Sequence, residues 1–155
     1  MLTDIRLIFW ETTRACNLGC PHCRASATAM RSKDELTTTE AKSFINDLVS
    51  FSMPILVFSG GEPLVREDIF ELINYAKSSG LKPALATNAA LIDEEVAVRL
   101  KENGLGLAAV SIYGPTASSH DAFCAREGAL TETLRGIDNI RKENIPFQVN
   151  TTITR

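Results

Sequence analysis

Short apolar runs alternate along this chain with longer amphipathic runs, and turns rich in Gly, Pro and Asn separate the two kinds. The apolar runs contain many β-branched and aromatic residues, which is typical of strands. The amphipathic runs repeat apolar positions every three or four residues, which is typical of helices with one buried face. The pattern predicts five strands, over residues 5–12, 55–58, 82–86, 107–112 and 148–152.

Four helices are predicted between these strands. The first begins at a cap on Thr38 or Thr39 and extends to about residue 51, and the others cover residues 67–79, 93–103 and 130–143. The stretch between residues 115 and 130 is predicted to be a polar loop. The first two helices should bury these residues: Phe44, Ile45, Leu48, Val49, Ile69, Leu72, Ile73 and Ala76.

The strict alternation of strands and helices predicts an α/β fold, with a parallel sheet and right-handed crossovers. Five strands cannot close an eight-stranded barrel. The first strand is apolar enough to be covered on both faces. The apolar, β-branched stretch at residues 149–153 would be a bare edge strand, so we expect the 155 residues to be part of a longer chain.

Polar or glycine-rich groups follow each predicted strand. The carboxyl ends of parallel strands share one rim, where ligands bind. Glycines let a backbone approach a ligand closely, and Glu62 adds a carboxylate beside two of them. The alternative for each group is that it only forms a turn or caps a helix, and in that case Glu62 would be exposed to solvent. Besides three cysteines, the candidate site residues are Gly60, Gly61, Glu62, Thr87, Asn88, Ser111 and Asn150.

Cys16, Cys20 and Cys23 lie within eight residues, directly after the first predicted strand. Thiolates are soft ligands that select zinc, copper or iron–sulfur clusters. Structural zinc and ordinary electron-transfer clusters take four ligands, and His22 is poorly placed to be the fourth. Three thiolates on a four-iron cluster would leave one iron with an open coordination site. Zinc and scattered core cysteines remain alternatives, and Cys124 is expected to be a partly buried, inert thiol.

The composition of the chain restricts the classes of function that it can have. The chain has 16 basic and 19 acidic residues, a net charge of −3 and no basic block, which argues against a nucleic-acid partner. No apolar run is long enough to cross a bilayer. Closely spaced free thiols favour a reducing compartment, so we expect a cytoplasmic protein with one domain over residues 1–155.

The spacing C-x3-C-x2-C after the first strand, with G-G-E-P at residues 60–63 after the second, resembles the radical S-adenosylmethionine (SAM) superfamily. The resemblance implies a [4Fe–4S] cluster on Cys16, Cys20 and Cys23, with SAM chelating the fourth iron. It implies one-electron cleavage of SAM to a radical that abstracts hydrogen from a substrate, with ferredoxin or flavodoxin as electron donor. It also implies a partial, TIM-like (βα)6 barrel, truncated here after about the fifth strand.

The resemblance also implies roles for other residues. In this family the G-G-E segment binds the ammonium group of SAM, and a serine at the position of Ser111 contacts the ribose. His22 would pack near the adenine without binding metal. This chain departs from the family pattern at Ala89, where a glycine is usual, and at Tyr113, where many members have aspartate.

Four further segments resemble one subgroup of the family. They are W-E-T-T-R-A-C-N-L at residues 10–18, P-H-C-R-A-S-A at 21–27, G-P-T-A and H-D-A-F within 114–123, and N-T-T-I-T at 150–154. The subgroup includes enzymes of the siroheme-dependent heme pathway, among them the Fe-coproporphyrin III oxidative decarboxylase and the heme d1 enzymes. Similar sequences are peptide-modifying maturases with a cysteine-rich SPASM domain.

The resemblance implies a tetrapyrrole substrate whose propionate chains are decarboxylated, with peptide modification as the alternative. Arg14, Arg24 and Arg126 are basic groups available to a propionate. His120 and Arg126 fall in the predicted loop, where a solvated position is the favoured interpretation. Two readings from other classes remain: a non-catalytic iron–sulfur or zinc scaffold, and an interaction module that binds a partner along the fifth strand.

Overall fold

Five parallel strands form a single sheet in the computed structural model, which describes residues 5–153. The strands follow one another across the sheet in sequence order. They are β1 (Leu7–Thr13), β2 (Ile55–Gly60), β3 (Lys82–Thr87), β4 (Leu107–Ser111) and β5 (Phe147–Asn150). The predicted parallel α/β sheet is confirmed, although β5 ends at Asn150 rather than at residue 152. Thr154, in the last of the family-like segments, lies outside the described residues.

In the described part of the chain, five helices and one 3₁₀ turn connect the strands. They are α1 (Thr38–Phe51), the 3₁₀ turn (Pro63–Val65), α2 (Ile69–Ser78), α3 (Glu94–Glu102), α4 (Ala117–Cys124) and α5 (Ala129–Lys142). Helix α4 occupies the predicted polar loop, so that prediction is wrong. This helix buries only His120 and Cys124, which explains why its sequence shows no apolar periodicity. None of the described helices has the length and apolar character needed to span a membrane.

Helices α1, α2, α3 and α5 pack on one face of the sheet, where their apolar side chains and those of the strands form the core. The predicted buried faces of the first two helices are confirmed. Ile45, Ile69, Leu72, Ile73 and Ala76 are fully buried, and Phe44, Leu48 and Val49 are partly buried. The helices share one side because each new strand adds to the same edge of the sheet and the crossovers all have the same hand.

The opposite face of the sheet, here called the open face, carries Phe9 and its register partner Val57. Phe9 is 59% exposed, so the prediction that β1 is covered on both faces is wrong. Its neighbour Trp10 points to the helices, where its ring lies 5.3 Å from Phe44 and 5.6 Å from Phe58. The strand begins with four apolar residues, because Ile8 and Trp10 pack against the core while Leu7 and Phe9 lie on the open face.

Arg66 fixes the carboxyl end of β1. Its side chain is 1% exposed and forms an ion pair with Asp68, with its Nε 2.6 Å from an Asp68 oxygen. Its two terminal nitrogens donate to the carbonyl oxygens of Thr12 and Leu36, each at 2.9 Å. The buried guanidinium thus joins the end of β1 to the segment before α1.

Thr37, rather than Thr38 or Thr39, caps α1. Its hydroxyl accepts a hydrogen bond from the N–H of Glu40, and its own N–H donates to the Glu40 carboxylate at 2.8 Å. This reciprocal pair is a capping box. Thr38 instead donates its hydroxyl to Asp68 at 2.7 Å. Three consecutive threonines left the cap position open in the sequence, and the capping partner decided it.

We expect Thr37→Ala to lower the free energy of unfolding by about 1 kcal/mol, because it leaves the first-turn N–H of Glu40 without its acceptor. Urea denaturation followed by circular dichroism measures the change. Thr39→Ala is the matched control, since Thr39 is exposed within the helix and alanine favours helix. Equal losses in the two variants would contradict the assignment of the cap.

Candidate metal and cofactor site

The three cysteines lie on one loop, residues 14–28, here called the cysteine loop. Its two ends are tied together, because the N–H of Cys16 donates to the carbonyl of Thr28 and the N–H of Thr28 donates to the carbonyl of Arg14, both at 2.8 Å. Within the loop, the N–H of Cys23 donates to the carbonyl of Cys20 at 3.1 Å. The predicted strand-end position of the cysteines is confirmed by this closed loop after β1.

The sulfur atoms of the loop already accept backbone hydrogen bonds. The N–H of Leu18 donates to Cys16 Sγ and the N–H of Ala27 donates to Cys23 Sγ, both at 3.4 Å. Burial, with smaller contributions from Glu62 and the other two cysteines, raises the pKa of Cys16 to about 11. Burial likewise raises the pKa of Cys20. A bound metal centre would supply the positive charge that these thiolates need.

The donor set fits an iron–sulfur cluster better than a single zinc ion. Within residues 5–153, no three His, Cys, Asp or Glu side chains come close enough to share one metal ion. A structural zinc needs four ligands on one ion. A four-iron cluster takes its thiolates on separate irons, so its cysteines need not converge on a point.

Glu62 is fully buried at the carboxyl end of β2. Its carboxylate accepts hydrogen bonds from the Thr87 hydroxyl at 2.9 Å, the Asn88 N–H at 2.8 Å and the Leu64 N–H at 3.2 Å. Burial nevertheless raises its pKa to about 7. The alternative of a solvated Glu62 is therefore wrong, because a network of donors holds this carboxylate inside the protein.

Gly60 and Gly61 let the end of β2 approach the chain that leaves β1. A Cβ on Gly60, whose φ is +123°, would lie 2.3 Å from the Thr13 carbonyl oxygen, and one on Gly61 would lie 2.2 Å from that of Ala15. The N–H groups of Gly61 and Glu62 donate to the same two carbonyls at 2.8 Å. The glycines therefore serve chain packing first, and their contact with a cofactor stays a prediction.

Asn88 links Glu62 to the first cysteine. Its side-chain amide donates to Asn17 Oδ1 at 2.8 Å and lies 3.9 Å from Cys16 Sγ. The Asn17 Nδ2 is buried and has no hydrogen-bond partner among the described residues. An unpaired buried donor beside Cys16 fits a bound group with acceptor atoms, such as the sulfurs of a cluster. Sequence reasoning missed Asn17, and adjacency to a cysteine was the only signal for it.

Ser111 and Asn150 are register partners at the ends of β4 and β5, on the open face. Burial raises the pKa of the nearby Tyr113 phenol, against a smaller lowering by the Ser111 hydroxyl. Thr87, by contrast, lies on the helix side of β3, 4% exposed, and its hydroxyl is used by Glu62. The fold thus brings Thr87, Asn88 and Glu62 to Cys16, and places Ser111 and Asn150 at the mouth of the open face.

His22 is exposed and packs against aromatic rings that follow β4. Its ring centroid lies 3.9 Å from that of Phe123 and 4.7 Å from that of Tyr113. Together the three rings form an apolar wall beside Cys20 and Cys23. Whether this wall holds an adenine, as the family resemblance implies for His22, stays a prediction.

Helix α4 packs directly on the cysteine loop. Cys124 is fully buried, not partly buried as expected, and its sulfur lies 3.4 Å from His120 Nε2. His120 is 1% exposed, so the solvated-loop interpretation of this residue is wrong. Arg126 reaches the carbonyl of Asn17 at 3.5 Å and forms an ion pair with Glu132, so it also has partners.

Glu35 holds the base of the cysteine loop. One of its oxygens accepts from the Thr13 hydroxyl at 3.0 Å and from the N–H groups of Arg14 and Ser32 at 2.9 Å, and the other accepts from Arg31 Nε at 2.8 Å. Burial opposes ionisation, but these donors outweigh it and lower the pKa of Glu35 to about 2. Sequence reasoning missed this residue because two of its partners, Thr13 and Arg14, lie on a segment distant from it in sequence.

The pKa of Glu35 predicts a pH-dependent contribution to stability. A depressed pKa stabilises the fold above the unfolded value near 4.5, and the contribution is lost as the pH falls toward 2. We expect Glu35→Gln to cost about 2 kcal/mol at pH 7 and almost nothing near pH 2. Urea denaturation at several pH values measures it, with the exposed Glu67→Gln as control. A cost for Glu35→Gln that is independent of pH would contradict the prediction.

Comparison with known proteins agrees with this geometry. A family model described as the Radical SAM superfamily matches residues 10–154. An AdoMet-dependent heme synthase from Methanosarcina barkeri is 47% identical over 150 residues, which cover 97% of this chain and 43% of the relative. An Fe-coproporphyrin III synthase from the same organism is 42% identical over 149 residues, which cover 96% of this chain and 37% of the relative.

Among solved structures, Streptococcus suis SuiB bound to the precursor peptide SuiA superposes with a TM-score of 0.79. The match covers 97% of this chain and 33% of that chain at 15% identity, so it shows a shared fold alone. The chain spans less than half the length of the curated relatives described above. Because the family model and both relatives match almost its whole length, this chain belongs to the radical SAM superfamily.

Proposed function

We propose that this chain is the part of a radical SAM enzyme that holds a [4Fe–4S] cluster on Cys16, Cys20 and Cys23 and binds SAM beside it. The observation that carries the proposal is that the buried Glu62 lies close to Cys16. Asn88 contacts both of these residues. A packing role alone does not explain why a carboxylate, an unpaired amide and three thiols meet at one rim.

When bound, the cluster and SAM supply one-electron reduction of a sulfonium and hydrogen abstraction from substrate. The chain's own residues orient the two groups and exclude water. Glu62 is held by three donors, and a carboxylate has about four lone-pair sites. The remaining site suits the ammonium of SAM, whose charge would favour the ionised form against the effect of burial. Gly60 and Gly61 have no side chains, so a ligand can approach the backbone beside this site closely.

Ser111 and Asn150 suit the sugar of SAM, because both present polar side chains on the open face. His22, Phe123 and Tyr113 suit the adenine, because their rings form an apolar wall next to two of the cysteines. These assignments make the open face of the sheet the substrate side. The exposed Phe9 on that face would then contact bound substrate or cofactor.

Anaerobic reconstitution with iron and sulfide tests the proposal. We expect visible thiolate-to-iron absorption, and SAM cleavage to 5′-deoxyadenosine and methionine when dithionite replaces the ferredoxin or flavodoxin donor. Glu62→Ala should keep most of the iron and weaken SAM binding, measured by calorimetry on the reconstituted protein. Iron binding with no interaction with SAM would leave a non-catalytic iron–sulfur scaffold, and binding of a single zinc would overturn the proposal.

We propose further that the substrate is a tetrapyrrole, with oxidative decarboxylation of Fe-coproporphyrin III propionates as the reaction. The support is the 47% and 42% identity to two proteins named for heme and Fe-coproporphyrin III synthesis. A propionate needs a basic group, and Arg24 is the best placed, since its side chain is 82% exposed and pairs only loosely with Glu11, at 3.5 Å. Arg14 donates to the carbonyl of Ser26, and Arg126 is paired with Glu132.

Mass spectrometry distinguishes the substrate classes. Loss of carbon dioxide from Fe-coproporphyrin III, dependent on SAM and reductant, would support the tetrapyrrole. The alternative is a peptide, as suggested by the fold shared with SuiB, which was solved with its precursor peptide. SAM cleavage stimulated by a candidate precursor peptide and not by the porphyrin would favour that alternative.

A further inference from the structure

Helix α5 is hydrogen-bonded to the loop between β3 and α3, residues 88–93, here called the Asn88 loop. Three side chains of the helix donate to three carbonyl groups of this loop. The hydrogen bonds are from Thr133 Oγ1 to Asn88 at 2.9 Å, from Arg135 Nη2 to Ala90 at 3.2 Å and from Asn139 Nδ2 to Ile92 at 3.1 Å. The proposed function uses Asn88 but none of the three donors.

The contact between the helix and the Asn88 loop is too close for a side chain at Gly136. A Cβ there would lie 2.2 Å from the carbonyl oxygen of Ala89. Ala89 itself has a φ of +59°, in the left-handed region, which is unfavourable for a residue with a Cβ. Such a conformation persists where the surrounding structure holds it. The hydrogen bonds from α5 on both sides of Ala89 therefore fix a loop conformation that the local sequence disfavours.

Asn88 connects this loop to the candidate site, and all four of its polar groups have partners. Its backbone N–H donates to the Glu62 carboxylate at 2.8 Å, and its side-chain amide donates to Asn17 at 2.8 Å. Its side-chain oxygen accepts from the N–H of Ala90 at 2.9 Å, which fixes the orientation of the amide. Its carbonyl accepts from Thr133. A shift of the Asn88 backbone would therefore disturb the hydrogen bond to Glu62.

We propose that Thr133 is a positioning residue: by holding the carbonyl of Asn88, it keeps the Asn88 N–H on the Glu62 carboxylate and so sets the affinity for SAM. The Thr133 side chain is 1% exposed and its hydroxyl bonds to Asn88, so it acts on the site through that residue. This inference rests on the proposed function, because it requires SAM beside Glu62. Without the hydroxyl, the loop can relax at Ala89, and Glu62 loses one of its three donors.

Calorimetric titration of SAM into the anaerobically reconstituted full chain tests the inference. Thr133→Val replaces the hydroxyl by a methyl group of similar shape, and Thr133→Ser keeps the hydroxyl. Thr131→Val is the matched control, because it makes the same change at an exposed position of the same helix. Iron per chain and circular dichroism are measured first. We expect Thr133→Val to bind iron as the wild type does and to bind SAM about three- to tenfold more weakly, as for the loss of one hydrogen bond.

The other variants and the kinetics separate positioning from stability. Thr133→Ser should recover most of the affinity, and Thr131→Val should match the wild type. In SAM cleavage driven by dithionite, Thr133→Val should have a raised KM for SAM and a nearly unchanged kcat, because excess SAM refills the site. If Thr133→Val fails to fold, Arg135→Met decides by the same titration: this exposed residue also holds the loop, and we expect about a twofold loss of affinity.

Two failures remain distinguishable. A wild-type protein that binds no cluster, or binds a cluster but no SAM, overturns the proposed function and this inference with it. A wild-type protein that binds both, with the SAM affinity of Thr133→Val equal to its own, overturns this inference alone, and so does an unchanged affinity in Arg135→Met where that variant decides. Loss of iron in Thr133→Val, or equal weakening in Thr131→Val, also overturns it, because the effect would then not come from the hydrogen bond to Asn88.

Discussion

Replacing Cys16, Cys20 or Cys23 by alanine should abolish cluster binding. Three cysteines are the whole protein-derived ligand set that the proposed function assigns to the cluster, and the open iron site leaves no spare protein ligand. Loss of one thiolate would leave two irons without protein ligands, and a cluster held by two sulfurs is readily lost. Iron per chain and visible absorption after anaerobic reconstitution measure the result, with circular dichroism to confirm that each variant is folded.

Cys124→Ala is the matched control for this prediction. Cys124 is also a thiol, but it lies at the end of α4 and is fully buried. We expect this variant to retain its iron. If Cys20→Ala kept the iron and Cys124→Ala lost it, the cluster would have a different ligand set from the one proposed.

Gly61→Ala should cost about 4 kcal/mol of unfolding free energy and greatly reduce cluster binding. The added Cβ would stand 2.2 Å from the carbonyl oxygen and 2.7 Å from the carbonyl carbon of Ala15. Both are backbone atoms, so no side chain can rotate away to make room. The strain would separate the end of β2 from the cysteine loop and break the hydrogen bond from the Glu62 N–H to Ala15. Urea denaturation and iron analysis measure the two effects.

Gly19→Ala is the control that tests whether replacing another glycine in this region has the same effect as Gly61→Ala. Gly19 lies in the middle of the cysteine loop, and a Cβ there would meet nothing closer than the Ala125 Cβ at 4.0 Å. We expect a change within about 0.5 kcal/mol and normal iron binding. A mild effect of Gly61→Ala, comparable to that of Gly19→Ala, would show that the contact with Ala15 is more adaptable than its geometry indicates.

The position of Glu62 connects these predictions. Its backbone N–H is bonded to the cysteine loop, its carboxylate to the end of β3, and Asn88 joins both to Cys16. A disturbance at Gly61 therefore reaches the carboxylate and the thiols together. The predicted groups at the ends of β1, β2 and β3 behave as one unit, whereas Ser111 and Asn150 stand apart on the open face.

Much of the fold was readable from local pattern. Alternating apolar and amphipathic runs predicted the five strands and the four helices that pack on the sheet, because the hydrophobic period of an element is a property of neighbouring residues. Helix α4 was not predicted because it buries only His120 and Cys124, and these two residues do not produce the apolar period that marks a helix. The cap of α1 was misplaced because three threonines in succession satisfy the same local rule.

The sequence by itself determined the parallel strands, the rim at the strand ends and the three thiols of the candidate site, since parallel β/α units place the residue after each strand at a common edge. Only the tertiary structure decided that Glu62 is buried, that the glycines serve a contact between β2 and the cysteine loop, and that Asn88 lies beside Cys16. Each of these joins segments that are distant along the chain. Such contacts depend on how close the backbones approach and which way side chains point, which no local periodicity records.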